Sequence, residues 1–380
     1  MIRSYRYRLQ MSARHRRAFD TAKQIHNQLY NAALEERIGA WQKAKVSVTR
    51  YDQQKSLTEI RAALPEIAKY AVTMVRLPLE QVDLAMKGFF ERCKKGKTPG
   101  FPRYRSIARC KSFGFIEATG WKLDGHILRM KGLPAVRIKQ HRPLEGKCKK
   151  LILKETAGRW YAIFVMELPD VVGPPAPTVL GIDVGIEAMA TDSDGDRYDH
   201  VRPERSNANR RIRAERMMAE SKKGTRRRLR AKRRLAKLRE REANARRTRH
   251  FQIASQIVGK GAGHIVIEDL AVANMMRSAS GTIEQPGTNV AAKSGLNRSI
   301  ADAAPAQFLK ILSDKAESAG ARVIVVDPRY TSKMCSGCGD VHVMTLKQRW
   351  LNCRCGNRMH RDHNAAINIQ RRGLLRLIGA

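Results

Sequence analysis

Acidic residues are scarce in this chain. Only 35 Asp and Glu stand against 74 Lys and Arg over 380 residues, a formal charge of +39. Such a charge repels itself unless a polyanion neutralises it, which excludes an ordinary metabolic enzyme and points to nucleic acid as a standing partner. Long apolar runs are also missing. None approaches the ~20 residues of a spanning helix, and the start, Met-Ile-Arg-Ser-Tyr-Arg-Tyr-Arg-Leu, carries charge where a signal peptide needs an apolar core. The expectation is a cytoplasmic protein, associated with the nucleoid when on DNA and making no membrane contact. Aromatic content is low at 6%, yet the 42% apolar fraction is globular, and the length suffices for two or three domains. An odd count of seven cysteines argues against a disulfide framework. Cys93, Cys110 and Cys148 are scattered in basic surroundings without a nearby ligand partner, and are read as incidental; four others cluster at 335–355.

Residues 2–10 alternate as a strand, and from Ala13 the period becomes helical, with Phe19, Ala22, Ile25, Leu29 and Ala33 on one stripe. Helix continues with breaks expected at Pro65 and Pro78, ending on an apolar face of Val82, Met86, Phe89 and Phe90. The basic loop 94–105 mixes cations with Phe101 and Tyr104, a composition suited to backbone neutralisation and base stacking; Arg103, Tyr104 and Arg105 are its candidate nucleic-acid contacts. Strands are expected at 127–131, 135–140, 149–156 and 159–167, the last two joined by a turn at Gly158. The clearest linker is 171–178.

A β-meander follows, with an apolar strand to Asp183, a strand at 186–191, a turn at Asp192–Asp196 and a third short strand. Residues 201–250 hold 21 Lys and Arg against 5 Asp and Glu, which reads as one or two long basic helices. Such a density of cations needs counterions, and Arg226, Arg227, Arg228, Arg233 and Arg234 are candidate backbone contacts. Then come a strand at 263–268, a Gly/Ser/Asn-rich loop at 278–297, a helix at 300–319, a strand at 322–327 and a terminal helix from about 363.

Because acids are few, those that end apolar segments need a reason. Asp183 closes Thr-Val-Leu-Gly-Ile, Glu268 closes His-Ile-Val-Ile, and Asp362 opens the helix-like run Asn-Ala-Ala-Ile-Asn-Ile-Gln. Strand–Asp, strand–Glu and helix–Asp, in that order, is how RNase H-like nucleases gather carboxylates around two metal ions. Hydrolysis of a phosphodiester needs an activated water on one side of phosphorus and a stabilised leaving oxygen on the other, and two divalent ions ~3.5–4 Å apart do both. Asp183, Glu268 and Asp362 are therefore the candidate catalytic acids and Mg²⁺ ligands, with Mn²⁺ as a substitute ion. Asp269, beside Glu268, points to the other face and is read as structural. Asp192, Asp194 and Asp196 lack the twelfth-position Glu of a calcium loop and are read as a hairpin turn.

The cysteine cluster is Cys335-x-x-Cys338 with Cys353-x-Cys355. Two such pairs hold one structural Zn²⁺ tetrahedrally in a loop module too small for a core. The second pair is one residue tighter than usual. Four thiolates are the first reading; in the alternatives, His342 or His360 substitutes beside Cys338 and Cys355, or the site is empty.

Several stretches together resemble the TnpB family of transposon-encoded nucleases, relatives of the type V CRISPR effectors. They are Tyr-Arg-Tyr-Arg-Leu at the start, Gly100-Phe-Pro-Arg-Tyr-Arg-Ser106, Gly181-Ile-Asp-Val-Gly185, Ile267-Glu-Asp-Leu-Ala-Val-Ala-Asn-Met275, Val326-Asp-Pro-Arg-Tyr-Thr-Ser-Lys-Met-Cys-Ser-Gly-Cys-Gly339 and Arg361-Asp-His-Asn-Ala-Ala-Ile-Asn-Ile369. The resemblance implies a multidomain α/β plus β-barrel fold. A wedge-like β-barrel would occupy 1–10 and 96–172, with a helical recognition domain inserted at 11–95. An RNase H-like (RuvC) nuclease domain would occupy 178–332 and 358–380, interrupted by a zinc-knuckle target-binding module at 333–357. It further implies a guide RNA from the transposon end, a double-stranded DNA target beside a short adjacent motif, cleavage at one RuvC site through Asp183, Glu268 and Asp362, and a monomer with RNA bound. One departure stands out: the family usually has Cys-x-x-Cys in the second knuckle half, and here Asn352 fills the expected first position. Other readings are a compact type V CRISPR effector, a guided DNA-binding repressor that cuts little, and a RuvC-like resolvase or transposase.

Overall fold

Tyr5, Tyr7 and Leu9 alternate with Arg6 and Arg8, so one face of the first strand is buried and the other is cationic. The computed structural model describes residues 1–171, 176–345 and 348–379. The linker expected at 171–178 thus falls in part outside the described residues. The chain divides into two units, Met1–Pro169 and Asp170–Ala380.

In the first unit β1 (Ile2–Gln10) is followed by helices α1 (Ala13–Ala44), α2 (Arg50–Ala63), α3 (Pro65–Ala68) and α4 (Val72–Lys94). Six strands come next: β2 (Ser112–Phe115), β3 (Trp121–Asp124), β4 (Ile127–Met130), β5 (Leu133–Lys139), β6 (Lys147–Thr156) and β7 (Arg159–Glu167). They form one antiparallel sheet with β1, in the order β2-β6-β7-β1-β5-β4-β3. The expected closed barrel is not what these pairings build: the sheet is open, and among the described residues β2 and β3 do not pair. Helix α1 packs on β2 and β5 and α4 packs on β2, so helices rather than a closing strand pair cover the apolar face. Phe19, Phe113 and Trp160 interlock edge to face in that core. Pro78 does not break its helix as expected. It lies buried inside α4, where burial of Met74, Val75, Leu79 and Val82 offsets an interior proline that costs about 3 kcal/mol.

The second unit contains β8 (Val179–Asp183), β9 (Ala190–Asp192), β10 (Arg197–Tyr198), α5 (Pro203–Ser206), α6 (Ala208–Glu220), α7 (Arg226–Gly259), β11 (His264–Glu268), α8 (Val272–Met275), α9 (Val290–Ala303), α10 (Pro305–Ser318), β12 (Arg322–Val326), β13 (Trp350–Asn352), β14 (Arg358–His360) and α11 (Arg361–Ile378). Five strands form a sheet in the order β10-β9-β8-β11-β12. Strands β8, β11 and β12 run parallel, and the meander strands pair antiparallel beyond β8. The strand expected at 186–191 shrinks to Ala190–Asp192. The single helix expected at 300–319 is two, because Pro305 disfavours helical backbone at Ala304, which turns left-handed (φ 50°) while Pro305 opens α10. The first of the pair begins at Val290, inside the stretch read as loop. Among the described residues no helix is long and apolar enough to cross a membrane.

Candidate active site and metal centre

The acids come together because of strand register. Ile182 on β8 lies opposite Ile267 on β11 in a parallel pair, so the next residue on each, Asp183 and Glu268, emerges side by side at the carboxyl edge of the sheet. Such edges are where open α/β sheets place their ligands. Asp362 arrives on the first turn of α11, capped by His360, whose Nδ1 accepts the Asp362 backbone N–H at 3.3 Å. Helix α11 can approach because two glycines make room. A Cβ on Gly181 would overlap the Ala366 carbonyl oxygen, and one on Gly373 would overlap the Val266 side chain. Within Asn-Ala-Ala-Ile-Asn, Ala365 and Ala366 are fully buried, their small size keeping the helix close.

Asp183 is half-buried and Glu268 buried. Burial pushes the Asp183 carboxyl well above the usual carboxylate range, the charges of Glu268 and Asp362 push it further, and Arg361 opposes them. Burial likewise raises Glu268, against the Thr331 hydrogen bond and the charge of Arg372. Carboxylates that disfavour one another's charge in this way call for cations, and their oxygens do not all lie within 4.8 Å of one another. Asp269 is exposed, and its backbone N–H extends the ladder to the Val326 carbonyl at 2.9 Å.

Two neighbouring features were not visible in the sequence. The Thr331 hydroxyl donates to Glu268 Oε1 at 2.5 Å. Asn364 and Asn368, one helical turn apart on α11, clasp the root of the cysteine module: both donate to the Met334 carbonyl (2.7 Å each), Asn368 also donates to the Thr331 carbonyl (2.8 Å), and Asn364 Oδ1 accepts the Ser336 N–H (2.8 Å). An asparagine pair at i and i+4 was the only sequence signal available, and it reads equally well as a polar helix face.

The acidic hairpin turn is built around a lysine. Lys260, just past α7, lies 2.5 Å from Asp192, 3.0 Å from Asp194 and 2.7 Å from Asp196. Asp192 is fully buried and also accepts the Tyr198 hydroxyl at 2.8 Å.

The four cysteines converge. The sulfurs of Cys335, Cys338, Cys353 and Cys355 all lie within 4.8 Å of one another, and no other group of His, Cys, Asp or Glu among the described residues meets that test. The Cys335–Cys355 and Cys338–Cys353 separations of 3.7 and 3.4 Å suit a tetrahedral ion, whose Zn–S bonds of about 2.3 Å place sulfurs about 3.7 Å apart. Burial would raise the Cys335 thiol, but hydrogen bonds from Asn357 and from the Cys338 and Gly337 backbone pull it down to about 6. Against a hydrogen bond from the Asp340 backbone, the neighbouring sulfurs push Cys338 up to about 12. The donor set fits zinc. The short second pair is accommodated by the β13–β14 hairpin, where Cys353 N–H bonds to Asn357 (2.9 Å) and Gly356, at φ 90°, closes the turn. Neither His342 nor His360 belongs to the cluster.

Of the candidate nucleic-acid contacts, Arg103, Tyr104, Arg226, Arg227, Arg233 and Arg234 are exposed. Arg105 is held by the protein: its guanidinium stacks 3.5 Å from the Tyr30 ring centre and donates to Gln81 at 2.7 Å. Arg228 donates to the Met218 and Ser221 carbonyls.

The chain is similar in sequence and in fold to known proteins. A family model described as "Cas12f1-like, TNB domain" matches residues 306–369, and OrfB_IS605, described as "Probable transposase", matches 164–279. The chain is 33% identical over 297 residues to "Putative RNA-guided DNA endonuclease InsQ" of Escherichia coli (strain K12), covering 77% of this chain and 72% of that protein. A Streptomyces pristinaespiralis protein, named "Putative RNA-guided DNA endonuclease", is 27% identical over 357 residues, 91% of this chain and 83% of that one. In fold, the chain matches the cryo-EM structure of the Cas12f1-sgRNA-target DNA complex with a TM-score of 0.59 at 16% identity, over 92% of this chain and 81% of that chain. With its acids at the sheet edge, its cysteine module and this extent of identity, the chain belongs to the TnpB (OrfB/IS605) family.

Proposed function

We propose that the protein is a transposon's RNA-guided DNA endonuclease, cutting double-stranded DNA at one RuvC-type site by two-metal-ion hydrolysis. The observation that supports this most is the β8–β11 register, which puts Asp183 beside Glu268 with Asp362 arriving on α11. The names of the E. coli and Streptomyces relatives agree with it.

In this reading Asp183, Glu268 and Asp362 would hold Mg²⁺ (or Mn²⁺). Bound ions there supply an activated water and charge stabilisation at the leaving oxygen. The chain's own contribution is placement: β8 and β11 fix two acids, α11 the third, and Thr331 fixes one oxygen of Glu268. Cys335, Cys338, Cys353 and Cys355 hold one structural zinc in a target-binding module at 333–357. The helical segment 11–95 serves recognition, the domain of 1–10 and 96–172 that carries the open sheet acts as the wedge, and 178–332 with 358–380 form the nuclease domain. A guide RNA from the transposon end neutralises part of the +39 charge, and its pairing reads sequence while the protein reads heteroduplex shape and a short adjacent motif. The working species is a cytoplasmic monomer with RNA.

The test is to purify the protein from cells carrying its flanking DNA and sequence the RNA that comes with it. A discrete RNA ending in a variable segment, which directs Mg²⁺-dependent cleavage of a matched duplex and spares a mismatched one, is expected. Heterogeneous RNA in a preparation that cuts DNA regardless of match would return the assignment to an unguided resolvase.

A further inference from the structure

In the second unit, α5, α6 and α9 line an open cleft of about 340 Å³. Its lining is strongly cationic. The two acids in the wall are already matched: Glu204 pairs with Arg211 at 3.0 Å, and Asp302 pairs with Arg246 at 3.5 Å. That leaves Arg202, Arg205 and Arg298 lining the cavity. Among the described residues, Arg205 and Arg298 have no acidic partner, and both are exposed.

The cavity is tied to the acidic site by covalent distance. Arg202 and His200 both bond the Ile186 carbonyl, at 2.9 and 2.8 Å. Ile186 follows Asp183 by three residues, a span of at most about 11 Å of chain. The opposite wall, α9, is fastened to the segment after Glu268, where Asn297 donates to the Met276 carbonyl at 2.9 Å. A concave site with unpaired guanidinium forks suits an oxyanion with several acceptor oxygens, bound bidentately.

We propose that this cavity seats a backbone phosphodiester of the DNA strand led to Asp183, flanking the bond that is cut. The proposal rests on the nuclease reading above. Arg205 and Arg298 would grip the phosphate while Arg202 and His200 hold the loop after Asp183 in register with it.

The test uses the full RNA-loaded chain carrying Arg205→Gln, Arg298→Gln or both, with Lys310→Gln as a control for loss of one exposed charge. Cleavage of a matched duplex gives KM and kcat. Anisotropy of short labelled DNA and RNA strands over a salt series gives affinity. The double variant should raise KM on the order of tenfold, leave kcat within about twofold, and lower the salt slope for DNA by about 0.7, one single-strand phosphate. Unchanged KM, an effect no larger than that of Lys310→Gln, or loss confined to the RNA strand would overturn the proposal. An Asp183→Ala variant that still cuts would instead remove the nuclease reading, and the DNA-strand affinities would remain readable.

Discussion

The Thr331 hydroxyl donates to Glu268 Oε1 at 2.5 Å, and both residues are buried. Its oxygen also lies 3.0 Å from the Pro328 carbonyl, but a charged acceptor at the shorter distance takes the proton. Since Asn368 on α11 holds the Thr331 carbonyl, this one residue links β11, α11 and the root of the cysteine module. Thr331→Val keeps the shape and removes the donor. An unsatisfied buried oxygen costs roughly 1–3 kcal/mol, so the variant should need several-fold more Mg²⁺ for half-maximal cleavage, with Thr331→Ser near wild type. A Mg²⁺ titration that superimposes on wild type would refute the positioning role.

Helix docking is open to a double-mutant test. Gly373→Ala gains helix propensity of about 1 kcal/mol, yet its methyl would overlap the side chain of buried Val266. Overpacking of this kind costs typically 1–3 kcal/mol, so melting temperature and cleavage should both fall. Adding Val266→Ala should recover much of the loss. A single variant as stable and active as wild type would mean that α11 does not need this close approach.

The raised Asp183 carboxyl sets a pH dependence. A group whose folded pKa lies above its unfolded value near 4 binds a proton on folding between the two values, so stability of the metal-free protein falls as pH rises through that window. Asp183→Asn should therefore melt higher than wild type at neutral pH without metal and lose this dependence. Adding Mg²⁺ should stabilise wild type and leave the variant unmoved. Thermal melts from pH 4 to 8, with and without Mg²⁺, check both statements.

Metal analysis of purified protein should find about one zinc per chain, lost in Cys335→Ser. Because Asn364 and Asn368 bind the 331–336 segment to α11, zinc removal should reduce cleavage as well as loosen the module. Metal-free protein of full stability and activity would contradict the assignment.

Much of the second unit was legible in the sequence because its signals are local. An apolar run ending in an acid reads as a buried strand, and the meander, the strand 264–268 and the terminal helix follow the expected order. Gly181 and Gly373 were not interpretable alone, since what they avoid lies far away in sequence. Pro78 misled because local propensity argues for a break that tertiary burial overrides. The apolar period runs across 300–319 and hides the break at Pro305, although residue 304 before a proline is a boundary signal. The barrel came from resemblance, and strand pairing shows an open sheet. Nothing in Tyr-Thr-Ser announces that Thr331 reaches Glu268 across 63 residues, and no spacing rule connects Lys260 to three aspartates before it.

The central claim is that Asp183, Glu268 and Asp362 form the one cutting site, and single Asp183→Ala, Glu268→Gln and Asp362→Ala variants of the RNA-loaded protein test it most directly. Each should retain RNA and bind a matched duplex at wild-type affinity while cleavage of both strands falls by at least about a thousandfold, roughly 4 kcal/mol of barrier. A variant that loses only one strand's cleavage, or cuts at the wild-type rate, would contradict the account.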